Sequence, residues 1–210
     1  MNILLNFWNE IIYGSDNLLW GCNPSNVAEL VLKVLTKNKI KSNNTLTLLD
    51  VGCGYGRDAK FFCESGFNVV GIDYSKNAIL KAQKNNPNSS YMLCNILNGL
   101  PFDNKAFFVC YCNAVLQWFN IAQIQFIIGE MLRVTKIGGF VVIAIPMFFD
   151  TEKRNKELIF SNNGIKLFKY DILKQFSSFK FKNEIYIKEY HTHGGYHEHD
   201  YYLLLVKTIN

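Results

Sequence analysis

Two carboxylates at the ends of apolar, β-rich segments are the groups in this sequence best placed to bind a ligand. Asp50 lies at the end of the segment 45–51, and the run Gly52-Cys53-Gly54-Tyr55-Gly56 follows it almost at once. Asp73 ends the next apolar segment, Asn68–Asp73. A strand that passes through a glycine-rich turn into a helix presents backbone amides and a positive helix end to a ligand. The spacing therefore predicts a ligand site at the carboxyl ends of the first two strands.

The residue types at these positions indicate the kind of ligand. A carboxylate at the end of the second strand can accept both hydroxyls of a ribose, which is the role we predict for Asp73. Asp50 would repel the pyrophosphate of a dinucleotide but would attract an ammonium group. Arg57 stands where the dinucleotide fingerprint has its third glycine. The pattern favours a nucleoside with a cationic end; the alternative is a βα turn in which the glycines only form the corner.

The segment 48–79 carries a resemblance to a known family. It reads LLDVGCGYGRDAKFFCESGFNVVGIDYSKNAI, and here the chain resembles the class I S-adenosylmethionine (SAM) dependent methyltransferases, from about Trp8 to the C-terminus. Within them it is most similar to the small-molecule branch that includes the tellurite-resistance and thiol-type enzymes. The resemblance implies SAM as cofactor, S-adenosyl-L-homocysteine (SAH) as product, and in-line methyl transfer to a small-molecule acceptor.

The same resemblance implies which residues bind SAM. The segment that begins at Asn95 resembles the DxxxLPF segment of the family, in which an acid and the next backbone amide bind adenine. Asn95 replaces the acid, but an amide can still accept one hydrogen bond and donate another. Asn113 matches the stretch that lines the methionine part of SAM, and Arg57 could hold a carboxylate or serve as a surface residue. The predicted cofactor-binding residues are Trp20, Asp50, Gly52, Cys53, Gly54, Arg57, Asp73, Tyr74, Asn95, Ile96 and Asn113.

The N-terminal residues predict a helical cover. Residues 2–13 have an apolar stripe with helical spacing, and a second amphipathic helix is expected over Asn26–Lys37. In the family, segments that read WGxxPS lie before the first strand and cover donor and acceptor. For Trp20, which stands in such a segment, a lid and simple packing are both open. We interpret Trp8 as a packing residue.

Strands that alternate with helices predict an α/β, Rossmann-like fold. The family pattern adds a sheet of seven strands, mostly parallel with the last antiparallel, and helices on both faces. We expect one methyltransferase domain over 1–210, with a cover in 1–44 and the Rossmann-like core in 45–210. The predicted strands are 45–51, 68–73, 90–94, 106–112, 140–145, 179–190 and 200–207, and the helices after the first strand are 57–64, 75–85, 121–134 and 170–176.

All four histidines of the chain lie in the short segment between the last two predicted strands. A loop of residues 194–196 would pair His193 with His197 and His191 with His199, on one face of the hairpin. A turn of residues 194–195 alone would split the histidines between faces. His193 and His197 are our candidates for a catalytic base. A solvated polar tip and a metal site are the other readings, and no metal is predicted.

Composition limits the classes of protein that this chain can represent. The net charge of +5 and pI of 8.8 come from lysines spread singly along the chain, so nucleic-acid binding is not expected. Six cysteines without CxxC pairs predict reduced thiols in a cytoplasmic protein. No segment predicts a signal peptide or a membrane span. We expect a monomer or homodimer; the alternative functions are an RNA or protein methyltransferase and a non-catalytic SAM-binding protein.

Overall fold

The computed structural model describes residues 6–15, 18–38, 40, 46–147, 160–161, 164–165, 183–192 and 196–208. Its centre is a parallel sheet with α-helices on both faces, so the predicted α/β, Rossmann-like fold is confirmed. The five parallel strands are β1 (Thr47–Val51), β2 (Asn68–Asp73), β3 (Ser90–Leu93), β4 (Phe107–Asn113) and β5 (Thr135–Met147). The helices are α1 (Asn26–Lys37), α2 (Arg57–Glu64), α3 (Lys76–Asn85) and α4 (Ile121–Val134).

The order of the parallel strands determines where a ligand can bind. The order is β3-β2-β1-β4-β5, so the chain moves outward from β1 in one direction and then outward from β4 in the other. In such sheets a crevice opens at the carboxyl ends of the two strands where the direction changes. The glycine-rich loop follows β1 and residues 114–119 follow β4, so both segments lie at this crevice.

Alternating side chains of the strands pack against helices on opposite faces of the sheet. On β1, Leu48 packs with Val31 of α1 and Phe62 of α2 in one cluster, whereas Leu49 packs with Ile128 of α4 in the other. All of these side chains are fully or almost fully buried. A strand buried on both faces must be apolar on both faces, which explains its nearly continuous hydrophobic run.

Two further strands extend the sheet beyond β5. Strand β9 (Tyr196–Lys207) pairs antiparallel with β5, and β8 (Asn183–Thr192) pairs antiparallel with β9. Strands β6 (Phe160–Ser161) and β7 (Gly164–Ile165) form a separate antiparallel pair. The predicted helix 170–176 lies outside the described residues.

The register of the β8–β9 hairpin differs from both alternatives that the sequence left open. His191 lies opposite His197, and Thr192 lies opposite Tyr196. The sequence alternatives instead placed His191 opposite Glu198 or His199. His193 lies outside the described residues.

The N-terminal cover begins with an unusual helix. Residues Phe7–Ile12 form a π-helix rather than the α-helix that the apolar stripe suggests. The side-chain oxygen of Asn9 accepts hydrogen bonds from the Ser75 hydroxyl at 2.9 Å and from the Asn77 amide at 3.0 Å. Because Ser75 caps α3, the cover is attached to the first turn of that helix.

Two expectations about environment can be compared with the described residues. Within them no helix has both the length and the apolar character that a membrane span requires. The six cysteines are free, and Cys53, Cys94, Cys110 and Cys112 are buried, as the prediction of reduced core thiols requires.

Arg133 connects helix α4 to the loop that precedes β4. Its guanidinium donates to the carbonyls of Leu100 and Phe102, both at 2.8 Å, and to both carboxylate oxygens of Glu130 at 2.7 and 2.8 Å. Glu130 in turn accepts a hydrogen bond from the Leu100 amide at 2.7 Å. The arrangement uses the planar fork of arginine, which a lysine cannot reproduce.

Replacement of Arg133 by alanine should lower the free energy of unfolding by about 1–3 kcal/mol, because partly buried carbonyls and a carboxylate lose charged donors. Arg133→Lys should recover little of that loss. Chemical denaturation measures both variants, with the exposed Lys136→Ala as the charge-matched control. Full stability of Arg133→Lys would contradict the fork geometry.

Candidate functional site

A cavity of about 350 Å³ lies at the crevice between the ends of β1 and β4. Its wall combines residues from the carboxyl ends of the parallel strands with residues of the N-terminal cover. Asp73 is the one carboxylate in this wall, and no lysine, arginine or histidine is present among the described residues that line it. The lining residues are Trp8, Tyr13, Gly52, Asp73, Tyr74, Cys94, Asn95, Ile96, Leu97, Ala114, Val115, Trp118, Phe119 and Gln123.

Asp73 connects the glycine-rich loop to the start of α3. One carboxylate oxygen accepts the Gly54 amide at 2.9 Å, and the other accepts the Ser75 amide at 2.8 Å. Burial raises the pKa of Asp73, and these amides together with that of Tyr74 oppose the shift. Each carboxylate oxygen has lone pairs beyond the one that an amide occupies. The side chain can therefore still accept hydroxyl groups from a ligand in the cavity.

The glycine-rich loop follows the backbone path that its sequence requires. Gly52 has φ +73°, and a Cβ atom there would lie 2.3 Å from Cγ2 of Val115. Gly54 has φ +54°, and a Cβ atom would lie 2.7 Å from the hydroxyl oxygen of Tyr13. Glycine is thus required at both positions by backbone conformation and by close packing. The amides of Gly52 and Cys53 both donate to the carbonyl of Ile72, so they are not directed at the cavity.

The segment after β3 forms another part of the wall. Asn95, Ile96 and Leu97 line the cavity, as does the preceding Cys94. The side-chain oxygen of Asn95 accepts the Leu97 amide at 3.1 Å and caps a short 3-10 helix, Ile96–Asn98. Asn95 therefore has a structural contact that the sequence did not indicate, while its position in the wall agrees with the predicted one.

Asp50 lies near the end of β1 but is not part of the cavity wall. The side chain is 3% exposed, and its Oδ2 atom has no hydrogen-bond partner among the described residues. Burial raises the pKa of Asp50 well above its usual value, and repulsion from Asp58 and Asp73 adds to the shift, while Arg57 opposes it. The residues that line the cavity do not include Asp50, and its predicted contact with a ligand stays a prediction. The carboxylate can still act on a bound cation through its charge.

Arg57 and Trp20 contact each other instead of the cavity. The Arg57 guanidinium donates to the Trp20 carbonyl at 3.0 Å and lies 3.9 Å from Asp58. The Trp20 indole stacks on the Tyr55 ring, with centroids 6.1 Å apart and planes 19° apart. Tyr55 also donates to the carbonyl of Gly21 at 2.9 Å. These contacts attach the segment before α1 to the glycine-rich loop. Neither Arg57 nor Trp20 lines the cavity, and their predicted contacts with a ligand stay predictions.

Asn113 belongs to a buried polar cluster behind the wall. Its amide nitrogen lies 3.2 Å from the Ser25 hydroxyl and 3.3 Å from Asp58. Asp58 also accepts the Ser25 amide at 2.7 Å and the Tyr111 hydroxyl at 2.8 Å. The neighbouring residue Ala114 lines the cavity in place of Asn113. Cys53 and Gly54 are likewise outside the wall, so the structure brings five of the predicted residues to it: Gly52, Asp73, Tyr74, Asn95 and Ile96.

Several wall residues were not predicted as ligand contacts. Trp8 was interpreted as packing, yet it lines the cavity together with Tyr13 and Trp118. The apolar spacing of the cover predicted burial, but spacing alone does not distinguish a core from a cavity wall. For Trp118 a signal was available, because it follows the end of β4 at the crevice. Ala114 has φ +57°, a strained conformation for a residue with a Cβ atom, which sequence does not reveal.

Comparison with known sequences finds similarity in the central part of the chain. Residues 49–143 match a family model described as a methyltransferase domain. A malonyl-[acyl-carrier protein] O-methyltransferase from Buchnera aphidicola subsp. Baizongia pistaciae (strain Bp) is 36% identical over 107 residues, which are 51% of this chain and 42% of that protein. The chain thus spans less than half the length of this curated relative.

Comparison with solved structures concerns the fold. The magnesium protoporphyrin IX methyltransferase ChlM from Synechocystis PCC 6803, crystallised with SAH, superposes with a TM-score of 0.73 at 14% identity and covers 99% of each chain. TehB from Haemophilus influenzae superposes with a TM-score of 0.63 at 21% identity, covering 84% of this chain and 61% of that one. The described sheet therefore has the architecture of proteins in this class.

Replacement of Asp50 by asparagine should raise the free energy of unfolding of the ligand-free protein by about 1 kcal/mol or more, because a buried carboxylate with an unpartnered oxygen becomes neutral. The raised pKa means that stability falls as pH rises above the usual carboxyl value of about 4. The stabilisation should therefore be largest at neutral pH and shrink in acid. Chemical denaturation of the wild type and of Asp50→Asn at several pH values measures this stabilisation.

Asp73→Asn should have the opposite effect to Asp50→Asn and lower the free energy of unfolding by about 1–3 kcal/mol. Both Asp73 oxygens accept backbone amides, so an asparagine NH₂ group would face a donor at one of them. The same denaturation series measures this variant. If Asp50→Asn and Asp73→Asn changed the free energy of unfolding in the same direction, that result would contradict the different environments described for the two acids.

Proposed function

We propose that the chain is a class I SAM-dependent methyltransferase, which transfers the methyl group of SAM to a small-molecule acceptor by in-line displacement. The match of residues 49–143 to a methyltransferase domain and the fold shared with ChlM and TehB support this proposal. The observation that carries the proposal is the position of Asp73 in the cavity wall, oriented by the amides of Gly54 and Ser75. The Buchnera relative is named as an O-methyltransferase, which favours an oxygen acceptor.

The described residues fit SAM as the cofactor. Asp73 can accept the ribose hydroxyls, and Asn95 with the backbone of Ile96 is placed for the adenine. The unpartnered, buried Oδ2 belongs to Asp50 of β1, which lies two residues before Gly52 of the glycine-rich loop, so its negative charge would favour a cationic amino-acid end of the ligand near that loop. SAM supplies a methyl group that its sulfonium already activates. The protein therefore has to align the acceptor with that methyl group and exclude water, and alignment alone can contribute about 7–11 kcal/mol.

The proposal also covers the extent of the domain, its cellular location and its partners. We take 1–210 as a single methyltransferase domain, with a cover in 1–44 and a seven-stranded sheet whose last strand is antiparallel. The pairing of β9 with β5 and β8 supports this sheet. The free, buried thiols support a cytoplasmic location. Small molecules rather than nucleic acid are the proposed partners, since the cavity wall contains no described cationic side chain.

We propose the hairpin between β8 and β9 as the source of a general base, with His193 and His197 as the candidates. Strand β8 runs parallel to β1, because both β8 and β5 are antiparallel to β9. Its carboxyl end therefore points to the same edge of the sheet as the glycine-rich loop. A carboxylate acceptor is already a nucleophile and needs no base, whereas a phenol or alcohol has to lose a proton.

Isothermal titration calorimetry tests donor binding. The wild-type protein should bind SAM and SAH, and Asp73→Ala should weaken both by about 1–3 kcal/mol, the order expected for lost charged hydrogen bonds. Asp103→Ala removes an exposed acid outside the wall and serves as the matched control. Binding of neither nucleoside by the folded wild type would refute the proposal, and unchanged affinity of Asp73→Ala would refute the ribose contact.

Turnover of an acceptor panel separates an enzyme from a non-catalytic SAM-binding protein. The panel should contain carboxylic acids, phenols and thiols, with RNA and protein as the alternative substrates, and SAH formation as the measurement. For a phenol, the rate should rise with pH through about 6.5, the usual histidine value. His193→Gln or His197→Gln should abolish that rise while leaving a carboxylate substrate unaffected. An unchanged pH profile in both variants would exclude the histidine base.

A further inference from the structure

The wall of the cavity contains an aromatic corner that the proposed function does not yet use. The indole rings of Trp8 and Trp118 have centroids 5.1 Å apart and planes at 89°. The ring of Tyr13 lies nearly parallel to Trp8, with centroids 5.8 Å apart and planes 28° apart. All three residues line the cavity. Two rings at right angles and a third beside them can surround a small group on more than one side.

The corner is held in position from outside the cavity. Asn9, next to Trp8, accepts hydrogen bonds from the Ser75 hydroxyl and the Asn77 amide. The Trp8 carbonyl accepts the Tyr13 amide at 2.9 Å, which sets the two rings side by side. Trp118 belongs to the short 3-10 helix Leu116–Trp118 that follows β4. The rings thus come from two separate segments that meet at the crevice.

The charge of the wall gives the corner a chemical preference. Asp73 is the carboxylate of the wall, and no cationic side chain is present among the described lining residues. A positive charge in an apolar enclosure is costly unless something compensates for the lost water. The faces of Trp and Tyr rings carry negative potential and attract cations, and perpendicular aromatic rings are a known form of cage for methylated onium groups. Burial raises the pKa of Tyr13 well above its usual value, so its ring stays in the neutral phenol form.

We propose that Trp8, Tyr13 and Trp118 form a cation-selective cage for the sulfonium of the methyl donor. The cage distinguishes SAM from SAH, because SAH keeps the nucleoside and amino-acid parts but has a neutral sulfur. It thereby favours release of product after each transfer. The inference rests on the proposed function, since it takes SAM as the ligand of this cavity.

The contribution of ring charge can be separated from ring shape by fluorination. Trp20→Phe leaves Trp8 and Trp118 as the two remaining tryptophans of the chain. Because the Trp20 ring also contacts Trp8 and Tyr13, at centroid distances of 6.5 and 6.3 Å, the unfluorinated Trp20→Phe protein is the reference for the series. Replacement of Trp8 and Trp118 by mono-, di- and trifluorotryptophan weakens the ring potential with little change of shape. The affinity for SAM, and for an analogue with an ammonium group in place of the sulfonium, should fall stepwise by roughly three- to thirtyfold in total. The affinity for SAH should stay constant.

Substitution of the rings gives an independent measurement of the preference for SAM over SAH, expressed as the ratio of the two affinities. Trp8→Leu and Trp118→Leu keep an apolar wall but remove the ring, so the ratio of SAM to SAH affinity should fall in each. Phe7→Leu is the control, because Phe7 contacts Trp8 and Trp118 at centroid distances of 5.5 and 6.2 Å without lining the cavity. Thermal unfolding identifies any variant that fails to fold. If a leucine variant does not fold, the fluorinated series alone tests whether the rings select the cation.

The outcomes distinguish this inference from the proposed function. Equal losses of SAM and SAH affinity on fluorination would overturn the cage and leave the donor site in place. A fall confined to the two cationic ligands would support it. Failure of the folded wild type to bind either SAM or SAH would overturn the proposed function and the cage together.

Discussion

The carboxylate of Asp73 is the contact on which the rest of the site depends. It accepts the Gly54 amide and the Ser75 amide, and thereby joins the glycine-rich loop to the first turn of α3. The Ser75 hydroxyl then donates to Asn9, which attaches the N-terminal cover to the same point. One partly buried acid therefore sets the relative positions of the loop, a helix and the cover. Its orientation follows from backbone donors, which do not depend on a flexible side chain.

The acids near the cavity differ in how well they are satisfied. Asp58 is buried, but it accepts hydrogen bonds from Ser25 and Tyr111, and the amide nitrogen of Asn113 lies 3.3 Å from it. Asp50 is buried with one oxygen unpartnered. An unsatisfied buried carboxylate is costly in the free protein, and a nearby positive charge in a ligand would offset that cost. Asp58 therefore acts as a structural acid, whereas the environment of Asp50 is the kind found at functional sites.

The cover performs two tasks through different residues. Trp20, Tyr55 and Arg57 connect the segment before α1 to the glycine-rich loop and form no part of the wall. Trp8 and Tyr13 reach the cavity from a π-helix, a rare conformation that often occurs at functional sites. Because Trp118 comes from the segment after β4, the aromatic corner exists only when the cover is docked.

The chain's local patterns were enough to predict the α/β fold and the five parallel strands. These predictions succeed because strand ends, positive-φ glycines and helix starts follow from short stretches of sequence, and parallel strands bring such ends to one edge. Which side of a loop a residue faces depends on what packs against it. Asn113 immediately precedes the wall residue Ala114, yet its amide lies against Ser25 and Asp58 behind the wall. Trp8 enters the wall by packing on a segment 110 residues further along the chain. Strand register and the meeting of distant aromatic rings are set by long-range packing, and they were decided only when the chain folded.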